Sequence, residues 1–364
     1  MTWTELTREQ QDDIILRSQN EVLDALAHEY NLLPQSLERK IRGLKQNGMY
    51  DYILNKLSKP QEKKGKIVSS PTEDPFLTNL FPLIRDSNNS IEDKDIRRIE
   101  LNNKNVYLIN PDKEWHGIFF TDLHCPYHDK KSVAALIRVL NVLDHNILIN
   151  GGDNLDLYGL SSYAKDSDML FEHGFAGEVE SHNRIMEEIG QVTMAPKISL
   201  YGNHMERYDK WLSQAPFMGT ARSNTQLSLN RVLSLKHYGW HDFADTIMFA
   251  KAEEVKYPKP ILLLDHGTRV KSGAVKSAAS QFNSFGAVSY IQGHVHRLGV
   301  GYQRTLHGQH CLAEGGTLRD ITPEYLKYPD WANGLLHFVV DKDVVTITPI
   351  LIENGVAYIG NTKV

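Results

Sequence analysis

The segment GIFFTDLH, residues 117–124, joins a short apolar run to two side chains that commonly bind metals. Residues 118–121 are bulky and apolar, which predicts a strand buried on both faces. Asp122 and His124 follow at its carboxyl end. Four other segments repeat this order. Apolar runs at 147–150, 198–201, 261–264 and 288–291 precede GD (152–153), GNH (202–204), DH (265–266) and GHVH (293–296).

These segments predict a single site, because active groups of open α/β sheets gather beyond the carboxyl ends of the strands. Mixed carboxylate, amide and imidazole ligands suit manganese, iron or zinc, while magnesium prefers oxygen alone. The set exceeds what one ion with an open position needs. Two divalent ions sharing a carboxylate are expected, with Mn most suitable and Fe, Zn or Mg as alternatives. The seven candidate ligands are Asp122, His124, Asp153, Asn203, His266, His294 and His296.

In order and spacing, the five segments resemble the calcineurin-like metallophosphoesterase superfamily, whose pattern is D-x-H, G-D, G-N-H, H and G-H-x-H. The resemblance covers roughly residues 115–350. It implies an α/β fold, an αββα sandwich of two mixed sheets flanked by helices, and hydrolysis of phosphate esters. It also implies that Asp153 bridges two ions, one held with Asp122, His124 and His296, the other with Asn203, His266 and His294. His204 takes the place of the family's proton-donating histidine.

This chain departs from the family pattern at two positions. Met205 replaces an acidic residue, and the adjacent Glu206 is a candidate for that supporting role. Leu157 replaces the arginine of the G-D-x-x-D-R form of phosphoprotein phosphatases, which argues against a protein phosphatase. Asp156 of the same motif is retained. We expect it to orient His204 by a hydrogen bond and to raise the pKa of that histidine, as a catalytic partner.

Two further residues are candidates for substrate binding. Arg207 follows the GNH segment as in some phage and bacterial members of the family and could contact phosphate, although a structural salt bridge is an equal alternative. His128 either faces the cleft or caps its loop. Arg297 and Arg269 are arginines for which surface placement is the default. His237 and His241 compete with His266, but only His266 follows an apolar strand.

Composition sets broad limits on the class of protein. The 364 residues are 41% hydrophobic and 23% charged, with a net charge of -5, as in ordinary globular proteins. This global charge does not indicate a polyanionic partner. With Cys125 and Cys311 as the two cysteines, and without an apolar leader or long apolar run, we expect a cytoplasmic protein without a membrane span.

The amino-terminal region predicts a small all-α domain over residues 1–58, with two short helices around a tight turn near Pro34. Residues 1–38 hold 8 acidic and 2 basic side chains, whereas residues 39–66 hold 9 basic and 2 acidic ones. A polar connector is expected at 59–100 and the metallophosphoesterase domain at 101–364. A helix-turn-helix would place Arg39, Lys40, Arg42 and Lys45 on nucleic acid, and a charged outer face of an ordinary helical subdomain is the alternative.

Three functions compete on this sequence. The first is a phosphodiesterase or nuclease that the basic helices deliver to DNA or RNA. The second is a phosphomonoesterase for a nucleotide or phosphoprotein, with the helices used for protein contacts. The third is a binding module without activity, which the complete ligand set disfavours. The sequence leaves the oligomeric state open.

Overall fold

The computed structural model describes residues 8–18, 23–46, 93–160, 174–214, 227–251, 258–322 and 329–364. The chain divides into two compact units, one of residues 1–82 with 161–176 and the other of residues 83–160 with 177–364. Within the described ranges, no helix combines the length and apolar character needed to cross a membrane.

The first unit contains three described helices, α1 (Arg8–Arg17), α2 (Leu23–Glu29) and α3 (Pro34–Gln46). The chain reverses between α2 and α3, where Asn31 adopts a left-handed φ of 54° that asparagine tolerates. Helices α2 and α3 are the predicted pair around a tight turn. The predicted boundary at residue 58 lies outside the described residues. A small apolar core joins the helices through Ile14, Ile15, Leu26, Ala27, Leu32, Leu37 and Ile41.

The second unit contains two seven-stranded mixed sheets. In the first sheet the order is β1 (Ile96–Leu101), β2 (Lys104–Ile109), β6 (Thr246–Phe249), β7 (Leu262–Asp265), β8 (Ser289–Gln292), β10 (Gly308–Gly315) and β9 (Leu298–Thr305). In the second it is β14 (Thr362–Lys363), β13 (Val356–Ile359), β12 (Val344–Glu353), β11 (Gly334–Asp341), β3 (Trp115–Phe120), β4 (Ile147–Asn150) and β5 (Lys197–Ser199).

The main core lies between the two sheets. Phe119 and Phe338 of the second sheet share it with Phe249 and Ile291 of the first, and all four are fully buried. Helix α4 (Lys130–Val142) packs on β12 and β13, and α8 (Lys276–Phe282) packs on β8 and β10. These helices cover outer faces, so the predicted αββα sandwich is confirmed. The other described helices of this unit are α5 (Phe175–Val192), α6 (Met205–Gln214) and α7 (Leu229–Val232), with a 3-10 turn at Tyr158–Leu160.

Parallel pairing sets the direction of the ligand-bearing strands. Strand β3 pairs in parallel with β4, and β4 with β5. Strand β7 pairs in parallel with β8. These are the five strands that the sequence predicted, each within about three residues of its predicted limits. The carboxyl ends of three strands from one sheet and two from the other therefore carry the ligand segments.

The strand alternation begins earlier than the sequence predicted. Residues 93–100 belong to the predicted polar connector, yet β1 starts at Ile96 and pairs antiparallel with β2. The connector prediction was wrong for this part, because β1 is an edge strand in which Ile96 is buried while Arg97 and Arg98 are exposed. Its polar composition therefore resembles that of a linker. Residues 59–92 of the connector lie outside the described residues.

Candidate metal centre

The seven predicted ligands meet where the five strands end. Five of them have a left-handed backbone, with φ between 47° and 68°. Such a conformation costs a residue other than glycine on the order of 1 kcal/mol, and it persists only where the surrounding structure enforces it. The fold therefore tolerates backbone strain at these predicted ligand positions. These five residues are Asp122, His124, Asp153, His294 and His296.

Three of the predicted ligands form a first group. The Nε2 atom of His296 lies 3.1 Å from the Oδ1 atom of Asp122 and 3.1 Å from the Nε2 atom of His124. The His124 Nε2 atom lies 3.5 Å from the same Asp122 oxygen. Asp122 and His124 follow β3 of one sheet, and His296 follows β8 of the other. All three are buried.

A second group of predicted ligands surrounds His266. Its Nε2 atom lies 2.9 Å from Asn203 Oδ1 and 3.1 Å from Asp153 Oδ2. The ligand atom of His294 lies within 4.8 Å of those of Asp153 and His266. The same Asp153 oxygen is 3.8 Å from His124 Nε2. One carboxylate therefore lies between both groups.

Hydrogen bonds outside the two groups fix which ligand atoms face inward. His266 donates its Nδ1–H to the carbonyl oxygen of Gly151 at 2.8 Å, which leaves the Nε2 lone pair for a metal. The Oδ2 atom of Asp122 accepts from the Thr121 hydroxyl at 2.6 Å and from the His294 amide at 2.9 Å. Its Oδ1 atom remains directed at His296. Buried nitrogen and oxygen donors with fixed orientation fit divalent metal ions.

The charges of the two groups are strongly coupled. Burial opposes ionisation of Asp122 and Asp153, but the neighbouring histidines prevail and hold the pKa of both carboxyls well below the usual range. Burial likewise lowers the pKa of His266, yet Asp153 and Asp122 outweigh it and raise this pKa to about 10. The carboxylates are thus ionised at neutral pH and available as ligands, whereas an ion bound at Nε2 of His266 would replace the proton held there in the metal-free protein.

Asp156 holds two histidines, His124 by its carboxylate and His204 by its backbone carbonyl. Its Oδ2 atom accepts from His124 Nδ1 at 3.1 Å, whereas His204 Nδ1 is 3.9 Å away, beyond hydrogen-bond distance. His204 instead donates its Nδ1–H to the backbone carbonyl of Asp156 at 2.7 Å. The predicted hydrogen bond between Asp156 and His204 is therefore present, but its acceptor is the backbone carbonyl and not the carboxylate.

The pKa of His204 also differs from the expectation. Burial lowers it to about 4, and the nearby carboxylates of Asp153 and Asp156 do not compensate. The His204 ring is therefore neutral at pH 7. Arg207 donates from Nη2 to His204 Nε2 at 3.1 Å and from Nη1 to the Asp156 carbonyl at 2.8 Å. Among the described residues, Arg207 thus contacts His204 and the Asp156 carbonyl and no carboxylate.

Other predicted residues lie elsewhere. Glu206 is exposed and pairs with Lys210 at 3.2 Å, so its predicted supporting role was wrong: Met205, not Glu206, is the residue of this turn that points inward. Arg297 is buried between Glu314 and Asp330 rather than placed at the surface.

His128 is half-buried and its backbone bridges to that of Arg319. Within the described part of the chain, no hydrogen bond or ring contact joins His128 to the ligands.

The candidate nucleic-acid residues belong to α3. Arg42 and Lys45 are exposed, Lys40 is half-buried, and the side chain of Arg39 lies outside the described residues. Arg42 pairs with Glu38 at 2.9 Å, one helical turn away. This pair is typical of a solvated helix face.

Arg319 is a residue at the site that the sequence reasoning missed. Its Nη1 atom lies 3.2 Å from Asp156 Oδ2, and both side chains are buried. Thr317 of the same segment donates its hydroxyl to the carbonyl oxygen of Asp122 at 2.9 Å. The signal was GGTLRD, residues 315–320, a sixth polar segment that directly follows an apolar strand.

Comparison with known proteins gives structural neighbours alone. No family model matches the sequence, and no curated protein matches it. Among solved structures, Vacuolar Protein Sorting 29 from Cryptosporidium parvum is 13% identical with a TM-score of 0.38, covering 70% of this chain and 99% of its own. A metallophosphoesterase from Sphaerobacter thermophilus is 14% identical with a TM-score of 0.35, covering 65% and 88%. An archaeal phosphodiesterase is 11% identical with a TM-score of 0.33, covering 64% and 99%.

The chain resembles calcineurin-like metallophosphoesterases in two respects that lie in its own fold and sequence. One is the sandwich of two mixed sheets, and the other is the order of the five ligand segments at the strand ends.

Proposed function

We propose that this chain is a metal-dependent phosphoesterase with a dinuclear centre. The observation that carries the proposal is the position of Asp153 Oδ2, 3.1 Å from His266 Nε2 and 3.8 Å from His124 Nε2. A carboxylate shared between two groups of ligands is the arrangement that two-metal hydrolases use to hold their ions about 3.5–4 Å apart.

The residues divide between two metal positions. The first metal position consists of Asp122, His124, Asp153 and His296, and the second of Asp153, Asn203, His266 and His294. Manganese suits this mixed nitrogen and oxygen set best, and iron, zinc or magnesium are alternatives. When bound, such ions neutralise phosphoryl oxygens and make water nucleophilic at neutral pH.

His204 and Arg207 act on the phosphoryl group from the segment that follows β5. His204 is the proposed proton donor to the leaving alcohol, through Nε2, since its Nδ1–H is held by the Asp156 carbonyl. Arg207 donates to that Nε2 atom at 3.1 Å. Substrate phosphate, which attracts a guanidinium strongly, would draw Arg207 away from Nε2. Nε2 would then take up from solvent the proton that His204 gives to the leaving alcohol. Asp156 serves as the common support of His124, His204 and Arg207.

The finer proposal is a phosphodiesterase or nuclease acting on nucleic acid. Its support is the basic α3, where Arg42 and Lys45 are exposed. The Arg42–Glu38 pair does not prevent this use, because an exposed pair of this type contributes only about 0.3–0.5 kcal/mol and phosphate can displace it. A phosphomonoesterase for a nucleotide or phosphoprotein, with the helices contacting protein, is the alternative.

A substrate panel tests the catalytic proposal. The full chain is supplied with Mn²⁺ and offered single- and double-stranded DNA, RNA, cyclic nucleotides, bis-p-nitrophenyl phosphate and a phosphopeptide. We expect hydrolysis of a phosphodiester, loss of activity in Asp153→Asn and His204→Ala, and wild-type rates in His237→Ala, which changes an exposed histidine. An enzyme that hydrolyses none of these substrates refutes the proposal, and cleavage of the phosphopeptide alone selects the alternative.

Salt-dependent binding tests the nucleic-acid part. We expect the double variant Arg42→Ala/Lys45→Ala to bind DNA more weakly, with a salt slope smaller by about one for each phosphate that the variant no longer neutralises. Arg304→Ala is the matched control, because Arg304 is an exposed arginine on β9. Equal binding by the double variant and the control would exclude α3 as the contact surface.

A further inference from the structure

Arg319 places a buried positive charge beside Asp156, the residue that supports the first metal position. Its guanidinium donates from Nη1 to Asp156 Oδ2 at 3.2 Å, and the side chains of Arg319 and Asp156 are only 9% and 6% exposed. A buried arginine is uncommon unless it is paired. The pair with Asp156 accounts for the burial of both charges.

Two aromatic rings limit the movement of this guanidinium. Its central carbon lies 5.6 Å from the centre of the Tyr127 ring and 5.6 Å from that of Trp331. Planar guanidinium groups stack well on such rings, and lysine does not reproduce this geometry. Trp331 also contacts the ring of His296, with centres 4.4 Å apart. Arg319 is therefore connected to both histidines of the first metal position, to His124 through Asp156 and to His296 through Trp331.

The backbone of Arg319 is held as firmly as its side chain. Its amide donates to the Thr317 hydroxyl at 3.0 Å, and its carbonyl accepts from Asn333 Nδ2 at 2.8 Å. The neighbouring Leu318 amide donates to the carbonyl of Thr121 at 3.1 Å. The segment that carries Arg319 is thus fixed to the loop that carries Asp122.

Asp156 connects Arg319 to the proposed ligand His124. The oxygen that accepts from Arg319 is the same Oδ2 atom that accepts from His124 Nδ1 at 3.1 Å. A carboxylate on the outer nitrogen of a ligating histidine fixes the ring orientation and directs its other nitrogen at the metal. If Arg319 is removed, the Asp156 carboxylate loses its buried counter-charge and its orientation.

We propose that Arg319 is a positioning residue for the first metal position, acting through Asp156 on His124. The inference rests on the two-metal centre of the proposed function. It goes beyond that function by assigning a role to an arginine that lies outside the five ligand segments. The second metal position, built around His266, does not depend on this chain of contacts.

Metal titration of the full chain tests the inference without any substrate. Metal-free wild type, Arg319→Met, Arg319→Lys, Asp156→Ala and the double variant Arg319→Met/Asp156→Ala are titrated calorimetrically with Mn²⁺ and, separately, Zn²⁺. We expect Arg319→Met to weaken one of the two ions by about 10- to 100-fold and to leave the other within about threefold. Arg319→Lys recovers part of the loss. Arg304→Met, which removes an exposed arginine, leaves both ions unchanged.

The double variant separates action through Asp156 from an independent effect. If Arg319 acts through Asp156, the double variant binds no more weakly than Asp156→Ala alone. Losses that multiply, unchanged affinities in Arg319→Met, or equal weakening of both ions would each overturn the inference. If Arg319→Met does not fold, Arg319→Lys with Asp156→Ala completes the same cycle. Wild type that binds two ions but hydrolyses no phosphate ester would refute the proposed function and leave this inference standing.

Discussion

Replacing Gly202 with alanine should disable the metal centre while leaving the fold intact. A Cβ atom at this position would lie 2.0 Å from Asp153 Oδ1 and 2.4 Å from the Asp153 backbone nitrogen. Ordinary contact begins at 3.4 Å, so Asp153 or Gly202 must shift by about 1.4 Å. The obstacle is backbone as well as side chain, which means that a change of rotamer cannot relieve it.

The expected loss follows from the role of Asp153. A displacement of about 1 Å at a reacting site can cost about 100-fold in rate, and Asp153 faces both metal positions. We therefore expect Gly202→Ala to weaken both ions and to reduce phosphodiester hydrolysis by at least about 100-fold. Overpacking adds about 1–3 kcal/mol of destabilisation. Calorimetric titration of the metal-free protein with Mn²⁺ and hydrolysis of bis-p-nitrophenyl phosphate provide the two measurements.

Two glycine substitutions elsewhere serve as controls. Gly190 lies within α5 with open space where a Cβ atom would lie, so Gly190→Ala should bind metal normally and gain about 0.5–1 kcal/mol of stability. At Gly117 a Cβ would lie 2.0 Å from the ring of Phe338, so Gly117→Ala should disturb the core away from the ligands. The reasoning is refuted if Gly202→Ala binds both ions with wild-type affinity, or if its losses match those of Gly117→Ala.

Three other outcomes are expected. His266→Ala should lose one of two Mn²⁺ ions in a titration, and His237→Ala, at the exposed competitor, should lose none; two ions bound by His266→Ala would remove it from the ligand set. Metal at 100 times its Kd should stabilise the protein by about 2.7 kcal/mol per ion, measured as a rise in unfolding midpoint that a chelator reverses; a midpoint indifferent to metal contradicts this. Burial lowers the pKa of His182 from 6.5 to about 4, so its neutral form favours folding. This contribution is complete above pH 6.5 and is lost as the pH falls toward 4, on the order of 3 kcal/mol. Urea unfolding of the metal-free protein at pH 7 and 4.5 should show that the free energy of unfolding decreases less in His182→Gln than in wild type. An equal decrease in both proteins would exclude His182 as a source of the pH dependence.

The sequence predicted the parts of the site that depend on local order along the chain. A buried strand followed at once by Asp122 or His294 is a local pattern, and the shared direction of the strands then brings distant ligands together. The choice between His266, His237 and His241 was also local, since the run at 261–264 precedes only the first. These positions required no knowledge of side-chain direction.

Contacts between side chains of different loops could not be predicted in the same way. Asp156 has two histidines within reach, and residue type does not tell that its carboxylate holds His124 while its backbone carbonyl holds His204. Arg319 is an arginine far along the chain from its partner Asp156, and surface exposure is the usual expectation for an arginine. Strand β1 has the composition of a linker because only one side of an edge strand is covered. Each of these outcomes depends on tertiary context that residue type alone does not encode.

The origin of the ligands in two different sheets has a consequence for the lifetime of the folded state. Each proposed metal position takes side chains from the loops after β3, β4 or β5 of one sheet and from those after β7 or β8 of the other. Ions held there fasten the two layers at one edge. Separating the layers then requires an ion to lose ligands, so the unfolding rate of the loaded protein should follow the rate of ion release. The centre that is proposed to cleave phosphate esters would therefore also slow the unfolding of the two-sheet sandwich that carries it.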